Sequence, residues 1–339
     1  MKKSRIYWID NLRGLAAFFV LFQHVFEDAY PMIFQMGQEV INFGLVGVVL
    51  FFLVSGFVIP FSASNFKLKN YLISRFFRIF PLYWGILTIA LLLLFVGVLD
   101  RSVSGFSFST ENILLNYLLV NEYFHKPFAL GVSWTLSIEL AWYVIFAVYM
   151  LFLRAVSPVL LIFLSLIVLL ALGMFSLLME IRLPFGRMAL VEVALLGYLA
   201  YLVWVKKSSL PVFLGTLFLA TTVLSFLFWL SFSFFTHQSF TLLSVVLSWS
   251  FSIALFAAVF VLALKGYQFN NKYFIFIGTI SYSTYLIHPI VRDSIYHNFE
   301  FHPGQIVLIF FLTYLLSWAS FYFIELRSIR FGRQLRYAA

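Results

Sequence analysis

Ten long apolar runs dominate this sequence and constrain what it can fold into. A helix that crosses the hydrocarbon core of a bilayer needs about 20 residues, and its backbone must satisfy its own hydrogen bonds because that core holds no water. The runs lie at about residues 12–30, 44–62, 79–99, 131–153, 158–178, 186–205, 209–230, 239–264, 273–291 and 304–325. The sequence therefore predicts an all-α integral membrane protein of about ten transmembrane helices, with residues 1–339 forming a single transmembrane domain.

The composition excludes several other classes of protein. Apolar residues make up 63% of the chain and charged residues 10%, which excludes a water-soluble domain. A net charge of +9 in so apolar a chain indicates contact with a membrane surface rather than with nucleic acid. The absence of cysteine excludes disulfides, thiolate metal sites and cysteine nucleophiles. No His-x-x-x-His pair or carboxylate cluster suggests a metal site.

The distribution of Lys and Arg predicts the topology, because basic residues near helix ends stay on the cytoplasmic side. Starting from a cytoplasmic N-terminus, the cytoplasmic segments hold Lys2, Lys3, Arg5, Arg13, Lys67, Lys69, Arg75, Arg78, Arg154, Lys206, Lys207, Lys265, Lys272, Arg327, Arg330, Arg333 and Arg336. The outer segments hold only Arg101, Lys126, Arg182, Arg187 and Arg292. An even number of helices then places both termini in the cytoplasm. The apolar segment 112–120 is too short to span and is either interfacial or re-entrant.

The first span contains three ionisable residues on one face. Asp10 and Arg13 are three residues apart, and eleven residues separate Arg13 from His24. Eleven residues turn a helix through about 1100°, roughly 20° more than three full turns, and rise about 16 Å. His24 is therefore expected near the middle of the membrane, where an ionisable side chain is a functional candidate by default. The alternative is a packed histidine that hydrogen-bonds to a neighbouring helix.

Glu139, near the start of the fourth span, is expected at a depth similar to that of His24. A carboxylate can orient an imidazole and stabilise the imidazolium that forms when the ring takes a proton. Glu139 and His24 are therefore a candidate pair. The alternative for Glu139 is an interhelical hydrogen bond made in its protonated form.

Arg75 and Arg78, one helical turn apart, are placed at the cytoplasmic start of the third span. Two guanidinium groups at this spacing can bind the phosphates of a nucleotide-containing substrate. The alternative is anchoring by the positive-inside rule.

Other features of the spans and loops favour packing or remain open. Gly44, Gly47 and Gly56, with Ser55, favour close helix packing. His288, in the outer half of the ninth span, is either an acceptor-side residue or structural. Predicted outer loops contain His125, His237, His297 and His302, whose simplest interpretation is exposure to solvent.

Six sequence elements, taken in order, resemble those of the acyltransferase-3 family of multipass membrane acyltransferases, and the resemblance covers almost the whole chain. They are Arg13 followed eleven residues later by His24, Phe-Phe-x-x-Ser-Gly-Phe at 51–57, the Arg75–Arg78 pair, Ser-Trp-x-Leu-Ser-x-Glu at 133–139, Ile-Ser-Tyr-x-x-Tyr-Leu-x-His at 280–288, and Glu325 followed by basic residues. Only fourteen residues follow Glu325, so the SGNH-type domain fused to some relatives is not expected. The chain is therefore similar to the stand-alone members of the family.

The resemblance implies an acyltransferase that transfers groups other than aminoacyl groups, specifically a membrane O-acetyltransferase. The donor would be cytosolic acetyl-CoA, which is a substrate, and no permanently bound cofactor is implied. The acceptor would be a carbohydrate or glycolipid such as lipopolysaccharide O-antigen or exopolysaccharide. The implied location is a bacterial inner membrane, with membrane lipids as further partners.

The residues suggest roles in this reaction. Histidine is a suitable base near neutral pH, which makes His24 the catalytic candidate, with Glu139 orienting it or acting as a second acid or base. Arg13, Arg75 and Arg78 are candidates for binding coenzyme A. Asp10, Ser137 and His288 are candidate supporting or acceptor-side residues, and Asp10 is expected to pair with Arg13 or another basic group.

The main alternative function is a multipass transporter or flippase of a glycan or small solute, which would also use buried His and Glu side chains. Transport would move its substrate without consuming acyl-CoA. A structural membrane subunit ranks last, because it gives no reason for the Arg13–His24 spacing to occur together with the arginine pair.

Overall fold

The computed structural model describes residues 5–63, 67–100, 105–153, 156–235 and 239–337. Within these ranges the chain is helical and has no strand. Lys2, Lys3, Arg101, Arg154 and His237, to which the sequence assigned a membrane side or an outer loop, lie outside the described residues.

Each of the ten predicted spans corresponds to a helix. In chain order the α-helices are α1 (Tyr7–Ala29), α2 (Pro31–Glu39), α3 (Phe43–Ala63), α4 (Leu68–Val96), α5 (Thr110–Leu118), α6 (Ser133–Phe152), α7 (Pro158–Met179), α8 (Phe185–Trp204), α9 (Leu210–Phe234), α10 (Leu242–Leu264), α11 (Lys272–Asn298), α12 (Gly304–Ser320) and α13 (Leu326–Tyr337). A 3₁₀ turn covers Asn121–Phe124, and a π-helical turn, Phe321–Glu325, joins α12 to α13. The predicted all-α membrane fold is confirmed.

Nine helical segments in the described ranges are long and apolar enough to cross a membrane. The first helix is not among these nine, although its 23 residues are long enough. The reason is its ionisable residues, which lower the hydropathy of any window that contains them. The same residues that single out α1 as a functional candidate therefore weaken its signal as a membrane span.

Several helices extend beyond the apolar runs that predicted them. Helix α4 begins at Leu68 rather than near residue 79, so Arg75 and Arg78 lie within the helix and not at its start. Helix α11 continues to Asn298, which places Arg292 and His297 on a helix instead of in a loop. Polar side chains can extend to the membrane surface while the backbone remains helical, so hydropathy underestimates helix length.

The segment 112–120 forms most of helix α5, which is nine residues long and therefore cannot cross a membrane. Asn116 anchors it: the amide group of its side chain accepts a hydrogen bond from the backbone of Ala129 at 3.0 Å. The phenolic oxygen of Tyr83 on α4 donates to the backbone carbonyl of Asn116 at 2.8 Å. Buried asparagines thus tie this short helix to its neighbours.

The chain divides into two compact units. The first unit comprises the described residues of Met1–Gln23, Tyr30–Asn65 and Phe152–Thr279. The second comprises those of His24–Ala29, Phe66–Leu151 and Ile280–Ala339. Helices α1 and α11 contribute residues to both.

The first unit is built on close contact between helix backbones. A Cβ atom at Gly56 of α3 would lie 1.9 Å from the carbonyl oxygen of Ala194 on α8, and one at Gly197 would lie 2.0 Å from that of Leu53. A Cβ atom at Gly47 would lie 2.5 Å from the carbonyl oxygen of Ala16 on α1. The packing role favoured for Gly47 and Gly56 is therefore confirmed.

Candidate functional site

Two histidines from distant parts of the chain meet in the second unit. His24 lies near the C-terminal end of α1 and His288 lies on α11. Their Nδ1 and Nε2 atoms, respectively, are 3.2 Å apart, which is hydrogen-bonding distance. His24 is half-buried, whereas the side chain of His288 is 1% exposed. The pair thus joins a half-buried imidazole to an enclosed one.

Further contacts hold the two helices together around this pair. The Tyr296 hydroxyl of α11 donates to the carbonyl of Val25 at 3.0 Å. One turn beyond each histidine, Arg292 lies 3.3 Å from the carboxylate of Asp28, and Arg292 also pairs with Asp293 at 2.6 Å. The end of α1 is therefore fixed to α11 by contacts on the C-terminal side of both imidazoles.

Glu139 belongs to a second polar group, formed by α6 and α4. The Tyr143 hydroxyl donates to the Glu139 carboxylate at 2.6 Å, and the guanidinium of Arg75 lies 5.5 Å from the centroid of the Tyr143 ring. It also lies 5.9 Å from the centroid of the Tyr71 ring. These distances are typical of cation–π contacts, so Arg75 is held by aromatic faces.

The structure gives His24 a partner that the sequence did not predict. Its Nδ1 atom lies within hydrogen-bonding distance of His288 Nε2. The pairing of His24 with Glu139, and the role of Glu139 as a second acid or base, stay predictions.

Arg78 forms a buried ion pair with Glu325, the last residue of the π-helical turn. The other carboxylate oxygen of Glu325 accepts a hydrogen bond from the Ser283 hydroxyl at 2.7 Å. The guanidinium of Arg78 lies 5.6 Å from the centroid of the Tyr282 ring. Arg78 is thus neutralised by an internal carboxylate, a partner that the sequence did not predict.

Ser137 on α6 is fully buried, and within the described ranges its hydroxyl has no hydrogen-bond partner. Its backbone carbonyl accepts a hydrogen bond from Tyr123 at 3.1 Å. Two residues earlier, the hydroxyls of Thr135 and Tyr285 are 2.7 Å apart. The first turns of α6 therefore carry buried hydroxyls on more than one face.

Asp10 and Arg13 are assigned to the first unit, apart from the unit that contains His24, Arg75, Arg78, Glu139 and His288. Asp10 pairs with Arg5 at 2.6 Å, which agrees with the expectation of a basic partner. Arg5 also donates to the Thr279 hydroxyl at 2.6 Å.

Glu192 is a buried carboxylate that the sequence analysis did not single out. It lies on α8, is 2% exposed, and accepts a hydrogen bond from Ser165 at 2.7 Å. Its position within an apolar run was a signal available from the sequence alone.

These groups provide complementary chemistry in the second unit. A neutral imidazole accepts a proton near pH 7, a carboxylate can serve as a further acid or base, and the arginine guanidinium groups can bind phosphates. An imidazole, a carboxylate and guanidinium groups together are typical of a site that binds a polar substrate and transfers protons to or from it.

Comparison with known proteins identifies the family. A stretch of 149 residues, 42% of the chain, is 28% identical to acyltransferase MdmB of Streptomyces mycarofaciens and spans 38% of that relative's length. No solved structure matches the chain. The acyltransferase-3 family model, described as an acyltransferase domain, matches residues 6–322, and the chain therefore belongs to this family of membrane acyltransferases.

Proposed function

We propose that this protein transfers an acetyl group from cytosolic acetyl-CoA to a hydroxyl of an extracytoplasmic cell-surface glycan. The acceptor class is a lipopolysaccharide O-antigen, an exopolysaccharide or a related glycolipid. Membership of the acyltransferase-3 family supports acyl transfer as the reaction. The single observation that carries the proposal is the half-buried imidazole of His24, held at hydrogen-bonding distance from His288 on a membrane helix.

The reaction requires a base because a sugar hydroxyl is a weak nucleophile. The hydroxyl oxygen attacks the thioester carbonyl carbon, the carbon–sulfur bond breaks, and coenzyme A leaves as the thiolate. His24 takes the hydroxyl proton, which then neutralises the thiolate. In a second possible course His24 accepts the acetyl group before the sugar does. Both courses have the same overall stoichiometry.

The arginines supply sites for the donor's phosphates. Arg75 and Arg78 lie one turn apart on α4, and their guanidinium groups suit the bidentate binding of phosphate oxygens. Arg13, eleven residues before His24 on α1, is assigned to the entrance of the donor path. Since Glu325 already neutralises Arg78, Arg75 carries the larger share of the proposed phosphate binding.

Supporting roles are assigned to three further residues. Glu139, held by the Tyr143 hydroxyl, acts as a second acid or base. The buried hydroxyl of Ser137 is a candidate donor to a polar group of the acceptor. Asp10 has a structural role through its pair with Arg5. The enzyme is assigned to a bacterial inner membrane, with its donor in the cytoplasm and its acceptor on the opposite side.

The test is acetyl transfer by inside-out membrane vesicles supplied with radiolabelled acetyl-CoA and a mixed glycan-lipid extract. Wild type is compared with His24→Ala and with His297→Ala, a matched control in which the histidine lies exposed on α11. All three are assayed at equal expression. A base of this kind contributes about 10²–10⁴-fold to the rate, so His24→Ala is expected to abolish detectable incorporation into glycan while His297→Ala retains it.

Equal incorporation by wild type and His24→Ala would remove His24 from the mechanism. Absence of incorporation by wild type, with a verified acceptor and no binding of coenzyme A, would favour the transporter alternative.

A further inference from the structure

The hydrogen bonds of His288 define which of its ring nitrogens carries the proton. His288 Nδ1 lies 3.1 Å from the backbone carbonyl oxygen of Thr284, one turn earlier on α11. A carbonyl oxygen only accepts hydrogen bonds, so Nδ1 is the protonated nitrogen. In the neutral ring, Nε2 then carries the lone pair.

Burial strengthens this assignment. His288 is 1% exposed, so the acceptor that faces Nδ1 is the Thr284 carbonyl of the same helix rather than bulk water.

The atom of His288 that faces His24 is Nε2, which carries the lone pair. Because His24 Nδ1 lies 3.2 Å from it, His24 Nδ1 is the donor of this bond. In a neutral His24 the lone pair is then on Nε2, away from His288. In water the opposite tautomer, with the proton on Nε2, is the commoner one, so the contact selects the less common form.

We propose that His288 is a positioning residue, which fixes the tautomer of His24 so that its Nε2 lone pair is available to take the proton of the acceptor hydroxyl. This inference rests on the proposed function for its catalytic meaning, whereas the tautomer itself can be measured without activity. The Thr284 carbonyl can only accept a hydrogen bond, so it determines the direction of both hydrogen bonds, from His288 to Thr284 and from His24 to His288. The Arg292–Asp28 and Tyr296–Val25 contacts keep the two helices at the required distance.

Two substitutions of His288 distinguish the effect of its hydrogen-bond acceptor from the effect of its side-chain size. In His288→Gln the side-chain amide oxygen can lie close to the position of Nε2 and accept from His24 Nδ1. In His288→Leu a side chain of comparable size offers no acceptor. The tautomer of His24 is read from the ¹⁵N spectrum of histidine-labelled protein in lipid bilayers, where protonated and unprotonated ring nitrogens differ strongly in chemical shift. The His24→Ala variant assigns the signals.

We expect wild type and His288→Gln to show His24 with a protonated Nδ1, and His288→Leu to show protonation mainly at Nε2. In the acetyl-transfer assay, kcat is expected to fall at least about 10²-fold in His288→Leu, with an unchanged KM for acetyl-CoA, and to recover at least tenfold of that loss in His288→Gln. A purely structural role would not produce this rescue with a matching spectroscopic change.

A wild-type spectrum with His24 protonated at Nε2, or a tautomer that stays the same in His288→Leu, would overturn the inference. If His288→Leu does not fold, the wild-type spectrum still decides. If the tautomer changes as expected but acetyl transfer by wild type does not depend on His24, the proposed function fails while the positioning of His24 stands.

Discussion

The ion pair between Arg78 and Glu325 makes a quantitative prediction about stability and about donor binding. The Glu325 side chain is 0% exposed and that of Arg78 is 23% exposed. Removing one partner of a buried ion pair leaves an uncompensated charge and costs about 3–5 kcal/mol, whereas replacing both partners with neutral side chains of similar volume is often neutral. The pair is therefore suited to a double-mutant cycle.

The two single substitutions are expected to differ. Arg78→Met leaves the enclosed carboxylate with the Ser283 hydroxyl as its one hydrogen-bond donor among the described residues, so its cost is near the upper end, about 5 kcal/mol. Glu325→Gln leaves a cation that is partly exposed and still faces the Tyr282 ring, so its cost is near about 3 kcal/mol. The double variant Arg78→Met/Glu325→Gln is expected to recover most of the loss.

The assay is thermal unfolding in detergent micelles, and its readout is the fraction of protein that stays monodisperse after heating. A loss of about 3 kcal/mol corresponds to a decrease in Tm of roughly 4 °C for a chain of this size. Arg5→Met is the matched control, because its pair with Asp10 involves an arginine whose side chain is 49% exposed, and such pairs contribute about 0–1 kcal/mol.

Single variants with a Tm within about 2 °C of wild type, or destabilisations that simply add in the double variant, would refute the reasoning. The double variant also separates structure from donor binding. A stable double variant with weakened acetyl-CoA binding would assign Arg78 a direct role at the phosphates. Unchanged binding would restrict Arg78 to holding α4 against the π-helical turn, and would leave Arg75 as the candidate.

Two further predictions follow from single contacts. Gly56→Ala places a methyl group 1.9 Å from the Ala194 carbonyl oxygen, and such overpacking costs about 1–3 kcal/mol. The control is Gly215→Ala on α9, where nothing lies within 4 Å of the added methyl group. This control is expected to be neutral or to stabilise the protein by up to about 1 kcal/mol. Thermal unfolding compares the two, and equal Tm values would contradict the close approach of α3 and α8. Tyr143→Phe removes the hydrogen bond to Glu139 but keeps an aromatic ring, and a bond to a charged group contributes about 1.5–3 kcal/mol. We expect kcat for acetyl transfer to fall about tenfold or more with KM for acetyl-CoA unchanged, and an unaltered kcat would exclude Glu139 from the chemistry.

The transmembrane spans could be predicted from the sequence because unpaired backbone groups in lipid cost more free energy than the conformational preferences of individual residues supply. The ends of the helices could not. Arg75 lies inside α4 and Arg292 inside α11, since a helix continues wherever its own hydrogen bonds are better than those of a loop. Hydropathy gives the length of the apolar segment inside the membrane and not the full length of the helix that contains it.

The contacts of the candidate site were harder to predict than its members. His24 and Glu325 were each recognisable as ionisable groups within or beside a span. Their partners, His288 and Arg78, are separated from them by 264 and 247 residues, respectively. Local periodicity gives the face of a helix on which a residue lies but not the helix that it meets. For this reason the sequence did not predict that His24 meets His288.

Two kinds of contact hold helices together here without a hydrophobic driving force between them. Glycines bring backbones into contact in the first unit, as at Gly56 and Gly197. Paired polar side chains occur in both units, as at Ser165–Glu192 in the first and at His24–His288 and Arg78–Glu325 in the second. A glycine contact cannot change its protonation or bind a ligand, whereas a polar pair can do both. Since a polar pair serves packing and chemistry at once, replacing one partner with an isosteric neutral residue is the experiment that distinguishes the two roles in the second unit.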